Sequence, residues 1–154
     1  LLGRALRAVP VPVRVLDVAA GHGRYVLEGV KRSGVAVESI LLRDFVAENV
    51  AAARASAERL GLGGVTRCEQ GDAFDAGSLA AIAPRANVSI VSGLFELFPD
   101  NRRVAESLRG IAAATEPGGQ LLYTGQPWHP QLEMIARTLT SHRGGAAWVM
   151  RRRT

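Results

Sequence analysis

The fold is decided by residues 13–23, which read VRVLDVAAGHG. The apolar run 13–18 holds a single acid, Asp17, and predicts a strand that is buried on both faces. The small residues that follow predict a tight turn, and a helical pattern then runs from Gly23 to about Lys31. A buried strand, a glycine turn and a helix form the opening unit of an α/β sheet.

The same alternation continues along the chain. Further strands are predicted at residues 37–42, 65–69, 88–92 and 120–124, with helices at 47–60, around 79–82, at 101–114 and at 130–140. This pattern predicts a Rossmann-like, doubly wound α/β fold with a mostly parallel sheet. We expect the last helix to bury Leu132, Ile135, Ala136 and Leu139, and residues 147–151 to form a strand-like piece.

Length and composition bound the class of protein. A chain of 154 residues suits one domain, 1–154, and 47% hydrophobic with 21% charged residues excludes a disordered chain. No run of about 18 apolar residues predicts a membrane span. The lone Cys68 has no partner for an internal disulfide, which favours a reducing cytoplasm.

The net charge of +5 raises the question of nucleic-acid binding. The arginines are scattered along the chain, and aromatic residues make up only 5% of it. A surface that follows phosphates needs a basic stripe interleaved with aromatic side chains. The sequence therefore disfavours a nucleic-acid partner.

Acidic and small residues follow the predicted strands. In an open α/β sheet, ligands bind beyond the carboxyl ends of the strands. Asp44 follows the second strand and can accept hydrogen bonds from ribose hydroxyls, and Asp72 follows the third and suits the amino group of an adenine. These positions predict a nucleoside cofactor.

Two cofactors fit this arrangement, and Asp17 separates them. The dinucleotide fingerprint G-x-G-x-x-G is incomplete because Val26 occupies its third glycine position. A carboxylate under the glycine turn repels a pyrophosphate but attracts the ammonium and sulfonium of S-adenosylmethionine. An NAD(P)-dependent oxidoreductase and a non-catalytic cofactor-binding domain stay open as alternatives.

Two segments resemble a known family. Residues 15–23 resemble motif I of the class I S-adenosylmethionine-dependent methyltransferases, and residues 116–121, EPGGQL, resemble the turn that precedes their fifth strand. A narrower resemblance is to bacterial methyltransferases that are often fused behind an α/β-hydrolase domain and whose acceptor is unassigned. It is carried by residues 42–50, 93–101 and 123–133.

The resemblance implies S-adenosylmethionine as cofactor, with its methionine portion at the glycine turn, its ribose at Asp44 and its adenine at Asp72. The implied cofactor-binding residues are Asp17, Ala19, Gly21, Gly23, Asp44, Phe45, Asp72, Ala73, Ser92 and Gly93. It also implies a small-molecule or lipid-like acceptor and an upstream hydrolase domain in the full-length protein. Such domains close with an antiparallel seventh strand, so we expect this chain to be a domain truncated before that strand.

Two residues are candidates for a general base, and no metal site is predicted. His129 follows the fifth strand and has an unperturbed pKa near 6.5, and Glu96 follows the fourth strand. Each has an alternative role: His129 could seal the top of the last helix, and Glu96 could be a surface charge or pair with an arginine. Likewise, Asp44 could cap a helix and Asp72 could be a turn residue.

Overall fold

The computed structural model describes residues 1–98, 100–125 and 130–138. The helices are α1 (Leu2–Ala8), α2 (Arg24–Ser33), α3 (Ala47–Arg59), α4 (Ala76–Ala80), α5 (Asn101–Ala114) and α6 (Leu132–Thr138). The strands are β1 (Arg14–Val18), β2 (Ser39–Asp44), β3 (Thr66–Gln70), β4 (Ala86–Val91) and β5 (Thr115–Tyr123).

The five strands form one sheet in the order β3-β2-β1-β4-β5, and every neighbouring pair is parallel. Val15 in β1 pairs with Ile40 of β2 on one side and with Val88 of β4 on the other. The chain therefore reverses its direction of travel across the sheet between β1 and β4. This confirms the predicted doubly wound α/β fold and opens a crevice at the carboxyl ends of these two strands.

Helices cover both faces of the sheet. On one face α1, α2 and α3 enclose a core that includes the buried side chains of Leu6, Leu27 and Ile40. On the other face α4 and α5 pack over a second core that includes Leu16 and Ile111. Burial of each such side chain contributes about 1.5–3 kcal/mol, so the two layers hold the strand ends in fixed positions.

The structure differs from the sequence expectations at the two ends of the described chain. Helix α1 was not expected, yet its Leu2 and Leu6 are 3% and 1% exposed. The fifth strand begins at Thr115 rather than Gln120, and the extra residues are accommodated by an irregular register between Ala86 and Val88 of β4. Such an irregularity is tolerated because β5 is the edge strand of the described sheet.

The prediction for the last helix is wrong in its packing. Leu132, Ile135 and Ala136 of α6 are only half-buried, and the helix has no fully buried residue. Because α6 follows the edge strand β5, it has less surface to pack against. Leu139 and the strand predicted at 147–151 lie outside the described residues. The helix predicted around 79–82 is α4, which ends at Ala80. No described helix is long and apolar enough to cross a membrane.

Candidate cofactor site

The loop between β1 and α2 has an unusual backbone. Ala19, Gly21 and Gly23 have φ angles of 59°, 55° and 67°, in the left-handed region that favours glycine. A Cβ atom on Gly23 would lie 2.5 Å from Cδ1 of Leu42, so a side chain does not fit there. The loop therefore packs closely at Gly23, whereas nothing lies within 4 Å of a Cβ atom on Gly21 and the backbone is open there.

Asp17 lies in β1 directly below this loop and is 4% exposed. Within the described chain its carboxyl group forms no side-chain hydrogen bond and no ion pair. Burial, and to a lesser extent the negative charge of Asp44, raise the pKa of Asp17 to about 8. A cation bound next to this carboxyl group would offset both effects.

Asp44, the last residue of β2, makes three hydrogen bonds. Its Oδ2 accepts one of 2.8 Å from the backbone N–H of Gly21. Its Oδ1 accepts one of 3.0 Å from the N–H of Val46 and one of 2.9 Å from Nδ2 of Asn49. Asp44 is not the N-cap of α3, which is Val46, but it holds the segment before that helix and also the glycine loop. A carboxylate has about four acceptor positions, so one stays available for a ribose hydroxyl.

Asp72 follows β3 and is exposed. Its Oδ1 accepts a hydrogen bond of 2.8 Å from the N–H of Phe74, which makes Asp72 a turn residue and leaves Oδ2 available to a ligand. The neighbouring Ala73 is 7% exposed. The N–H of Gly71 donates to the carbonyl of Asp44 at 2.9 Å, so the turn after β3 is fixed to the end of β2.

A cavity of about 760 Å³ lies over these strand ends. Most of the predicted cofactor residues line it, namely Ala19, Gly21, Asp44, Phe45, Asp72, Ala73 and Gly93. Asp17 and Gly23 are buried and do not line it, and Ser92 is exposed on the loop after β4. The structure therefore brings the segments that follow β1, β2, β3 and β4 to one cavity, with Asp17 buried in the strand below.

The cavity also has lining residues that sequence reasoning did not assign to the site. They are Val46, Asn49, Gly71, Leu97, Phe98 and Arg103; Phe74 and Leu94, which adjoin the predicted Ala73 and Gly93, line it too. Asn49 could have been found from its place in the first turn of the helix after Asp44. Arg103 stacks on Phe74 and Phe98, which lie in other loops. Such a contact has no signal in a single sequence.

Of the two candidate bases, Glu96 is among the residues that the structure describes and His129 is not. Glu96 lies in a single 3-10 turn, Phe95–Leu97, and is 8% exposed, so it is not a surface charge. Its Oε2 has no hydrogen-bond partner, and no described arginine forms an ion pair with it. Glu96 does not line the cavity, although its neighbour Leu97 does. His129 lies outside the described residues.

Comparisons with known proteins agree with this architecture. Residues 3–154 match a family described as "Putative methyltransferase". The chain is 56% identical over 149 residues to the Escherichia coli (strain K12) protein named "Uncharacterized protein YnbC", a match that covers 97% of the chain and 25% of that protein. The chain thus spans a quarter of the length of this curated relative.

Two solved structures are also similar. One is an S-adenosylmethionine-dependent methyltransferase of Geobacter sulfurreducens, with a TM-score of 0.61, and the other is from Thiobacillus denitrificans, with a TM-score of 0.63. Both are complexes with S-adenosylhomocysteine, both are 26% identical, and each match covers 88% of this chain and 51% of the other. The resemblance to class I S-adenosylmethionine-dependent methyltransferases is thereby confirmed, and the chain belongs to the family described as "Putative methyltransferase", with the class I methyltransferase fold.

Proposed function

We propose that this chain binds S-adenosylmethionine and that the protein transfers its methyl group to a small-molecule or lipid-like acceptor. The observation that carries the proposal is the position of Asp17. This acid is buried below the glycine loop, and no cation among the described residues lies beside its carboxyl group. An isolated buried carboxylate is costly, and a cationic ligand removes that cost. The ammonium and sulfonium of S-adenosylmethionine supply such charge.

The remaining parts of the site fit the same cofactor. The free acceptor position of Asp44 suits a ribose hydroxyl, and Oδ2 of Asp72 with the backbone of Ala73 suits an adenine edge. Phe45 is exposed at the cavity wall and offers an apolar face to the base. Gly93 lines the wall after β4, and its N–H donates to Oγ1 of Thr124 at 2.8 Å, so this loop is held against the end of β5.

The bound cofactor supplies a methyl group that is already activated on a sulfonium. The chain then has to hold donor and acceptor in line and exclude water, and such alignment can provide about 7–11 kcal/mol. A base is needed only where the acceptor keeps its proton at pH 7. The general base that accepts this proton is then His129 or Glu96, whose Oε2 has no hydrogen-bond partner.

The oxidoreductase alternative is disfavoured by the site geometry. A pyrophosphate at the glycine loop would lie close to the carboxylate of Asp44, and the backbone N–H of Gly21, which it would need, already donates to that carboxylate. We further propose that the protein is cytoplasmic, in keeping with the buried free thiol of Cys68. We also propose that the full-length protein contains a hydrolase domain elsewhere in its chain.

The proposal is tested by calorimetric titration of the folded protein with S-adenosylhomocysteine and, separately, with adenosine. We expect both to bind, and Asp17→Asn to weaken S-adenosylhomocysteine while leaving adenosine unchanged, since only the former carries the ammonium. No binding of S-adenosylhomocysteine at millimolar concentration would refute the proposal. Binding without transfer of a labelled methyl group to any fraction of a cell lysate would favour the non-catalytic alternative.

A further inference from the structure

Arg103, Phe74 and Phe98 form a cluster in the cavity wall, which we call the arginine clamp. Cζ of Arg103 lies 4.6 Å from the centroid of the Phe74 ring and 5.3 Å from that of Phe98, and the two ring centroids are 4.5 Å apart. The three side chains come from the loop after β3, the loop after β4 and the first turns of α5. The cluster is therefore a product of the folded chain.

The ring contacts of Arg103 use none of its hydrogen-bond donors. Cation–π attraction acts between the positive charge and the ring faces, and the guanidinium carries five N–H groups that can still donate to a ligand. Within the described residues Arg103 forms no ion pair or hydrogen bond, although Asp44 and Asp72 line the same cavity. The two rings thus contact an exposed cation whose donors have no partner among the described residues.

The surroundings of the clamp are apolar. Leu94 and Leu97 line the cavity beside the two phenylalanines, and all four side chains are half-buried. Arg103 is the only cationic side chain among the described lining residues. A ligand that satisfies this part of the wall needs an apolar body and an acidic group.

We propose that Arg103 binds the acidic head group, a carboxylate or a phosphate monoester, of an acceptor whose apolar part lies against Phe74, Leu94, Leu97 and Phe98. The proposal rests on the proposed methyl transfer, because it names the class of the acceptor. The planar guanidinium of an arginine can pair with such a group through two parallel hydrogen bonds. The same cation repels an amine of equal length and so selects against it.

The test is calorimetric titration of the protein with three probes of equal chain length: octanoate, monooctyl phosphate and octylammonium. We expect one or both anions to bind and octylammonium to bind at least about ten-fold more weakly. Arg103→Gln should weaken the anions about ten-fold and leave the affinity for S-adenosylhomocysteine within two-fold of the unaltered protein. Arg103→Lys, which keeps the charge and loses the planar donors, should recover only part of the affinity.

Arg102→Gln is the matched control, because Arg102 is the neighbouring arginine in α5, is exposed as Arg103 is, and does not line the cavity. It should change neither affinity. Dependence of only one anion on Arg103 supports the proposal and identifies the head group. Equal binding of octylammonium and octanoate, or anion binding unaffected by Arg103→Gln, would overturn it. So would a loss confined to S-adenosylhomocysteine, which would make Arg103 part of the cofactor wall. Failure of S-adenosylhomocysteine to bind the unaltered protein is a separate result and bears on the methyl-transfer proposal alone.

Discussion

Oδ2 of Asp44 accepts a hydrogen bond of 2.8 Å from the backbone N–H of Gly21, so the carboxylate that ends β2 holds the glycine loop that follows β1. The same side chain holds the first turn of α3 through Val46 and Asn49. One carboxylate therefore links three segments around the cavity. Its removal should disturb the loop as well as any ligand contact.

Asp44→Ala should weaken the binding of S-adenosylhomocysteine by about 1.5–3 kcal/mol, the scale for hydrogen bonds to a charged group. The reason is that both the loop contact and the acceptor position for the ribose are lost. Asn49→Ala is the matched control, since it removes one hydrogen bond to Asp44 and keeps the carboxylate. Calorimetry should show a smaller loss for Asn49→Ala. Equal affinity of Asp44→Ala and the unaltered protein would exclude Asp44 from the site.

Gly71→Ala should destabilise the protein by about 1–3 kcal/mol. A Cβ atom on Gly71 would meet the guanidinium of Arg43, which is buried, pairs with Glu69 at 3.2 Å and donates to Ser78 at 2.6 Å. The guanidinium has little freedom to move away. Denaturant unfolding measures the loss, and Gly64→Ala, where nothing lies within 4 Å of the added Cβ, is the control. Similar unfolding midpoints for the two variants would contradict the packing described.

The stability of the protein should depend on pH through Asp17. The native carboxyl group keeps its proton up to about pH 8, whereas its ordinary pKa is 3.8. Between these values the native state binds more protons than the unfolded chain. The contribution of Asp17 to stability therefore falls as the pH rises, by up to about 1.4 kcal/mol per pH unit. Asp17→Asn removes this dependence on pH. The free energy of unfolding of the variant minus that of the unaltered protein, measured with urea at several pH values, should therefore increase toward pH 8. Parallel curves for the two proteins would show that Asp17 titrates normally.

Glu96→Gln and His129→Ala should separate the two candidate bases. Substitution of the residue that takes the acceptor's proton should lower the rate of labelled methyl transfer by about 10²–10⁴-fold. The affinity for S-adenosylhomocysteine should stay unchanged. Glu106→Gln, an exposed position in α5, is the control for a lost carboxylate. If both variants transfer methyl groups at the unaltered rate, neither residue is the base.

Local sequence signals were sufficient for the glycine loop and for the strand that carries Asp17, because a buried strand and a turn of small residues are encoded over eleven neighbouring positions. They also placed Asp44 and Asp72 within three residues of the ends of predicted strands, and both line the cavity in the structure. The link from Asp44 to Gly21 could not be predicted, because either role of Asp44, cap or ligand, satisfied the same pattern.

Contacts between distant segments could not be predicted from the sequence. Arg103 reaches the cavity only because α5 places it over Phe74 and Phe98. The burial of Glu96 follows from a 3-10 turn that has no periodic pattern to indicate it. Helix α1 was missed because its seven residues are too few to show a clear amphipathic stripe.

If Asp17 lies against the cationic part of the cofactor, binding of that cofactor releases a proton from its carboxyl group. At pH 7 the carboxyl group, with its pKa of about 8, is mostly protonated, and a neighbouring ammonium lowers that pKa. Titration with S-adenosylhomocysteine in buffers of different ionisation enthalpy should therefore show the release of close to one proton per site, and Asp17→Asn should release none. Binding without proton release by the unaltered protein, or equal release by both proteins, would contradict the account.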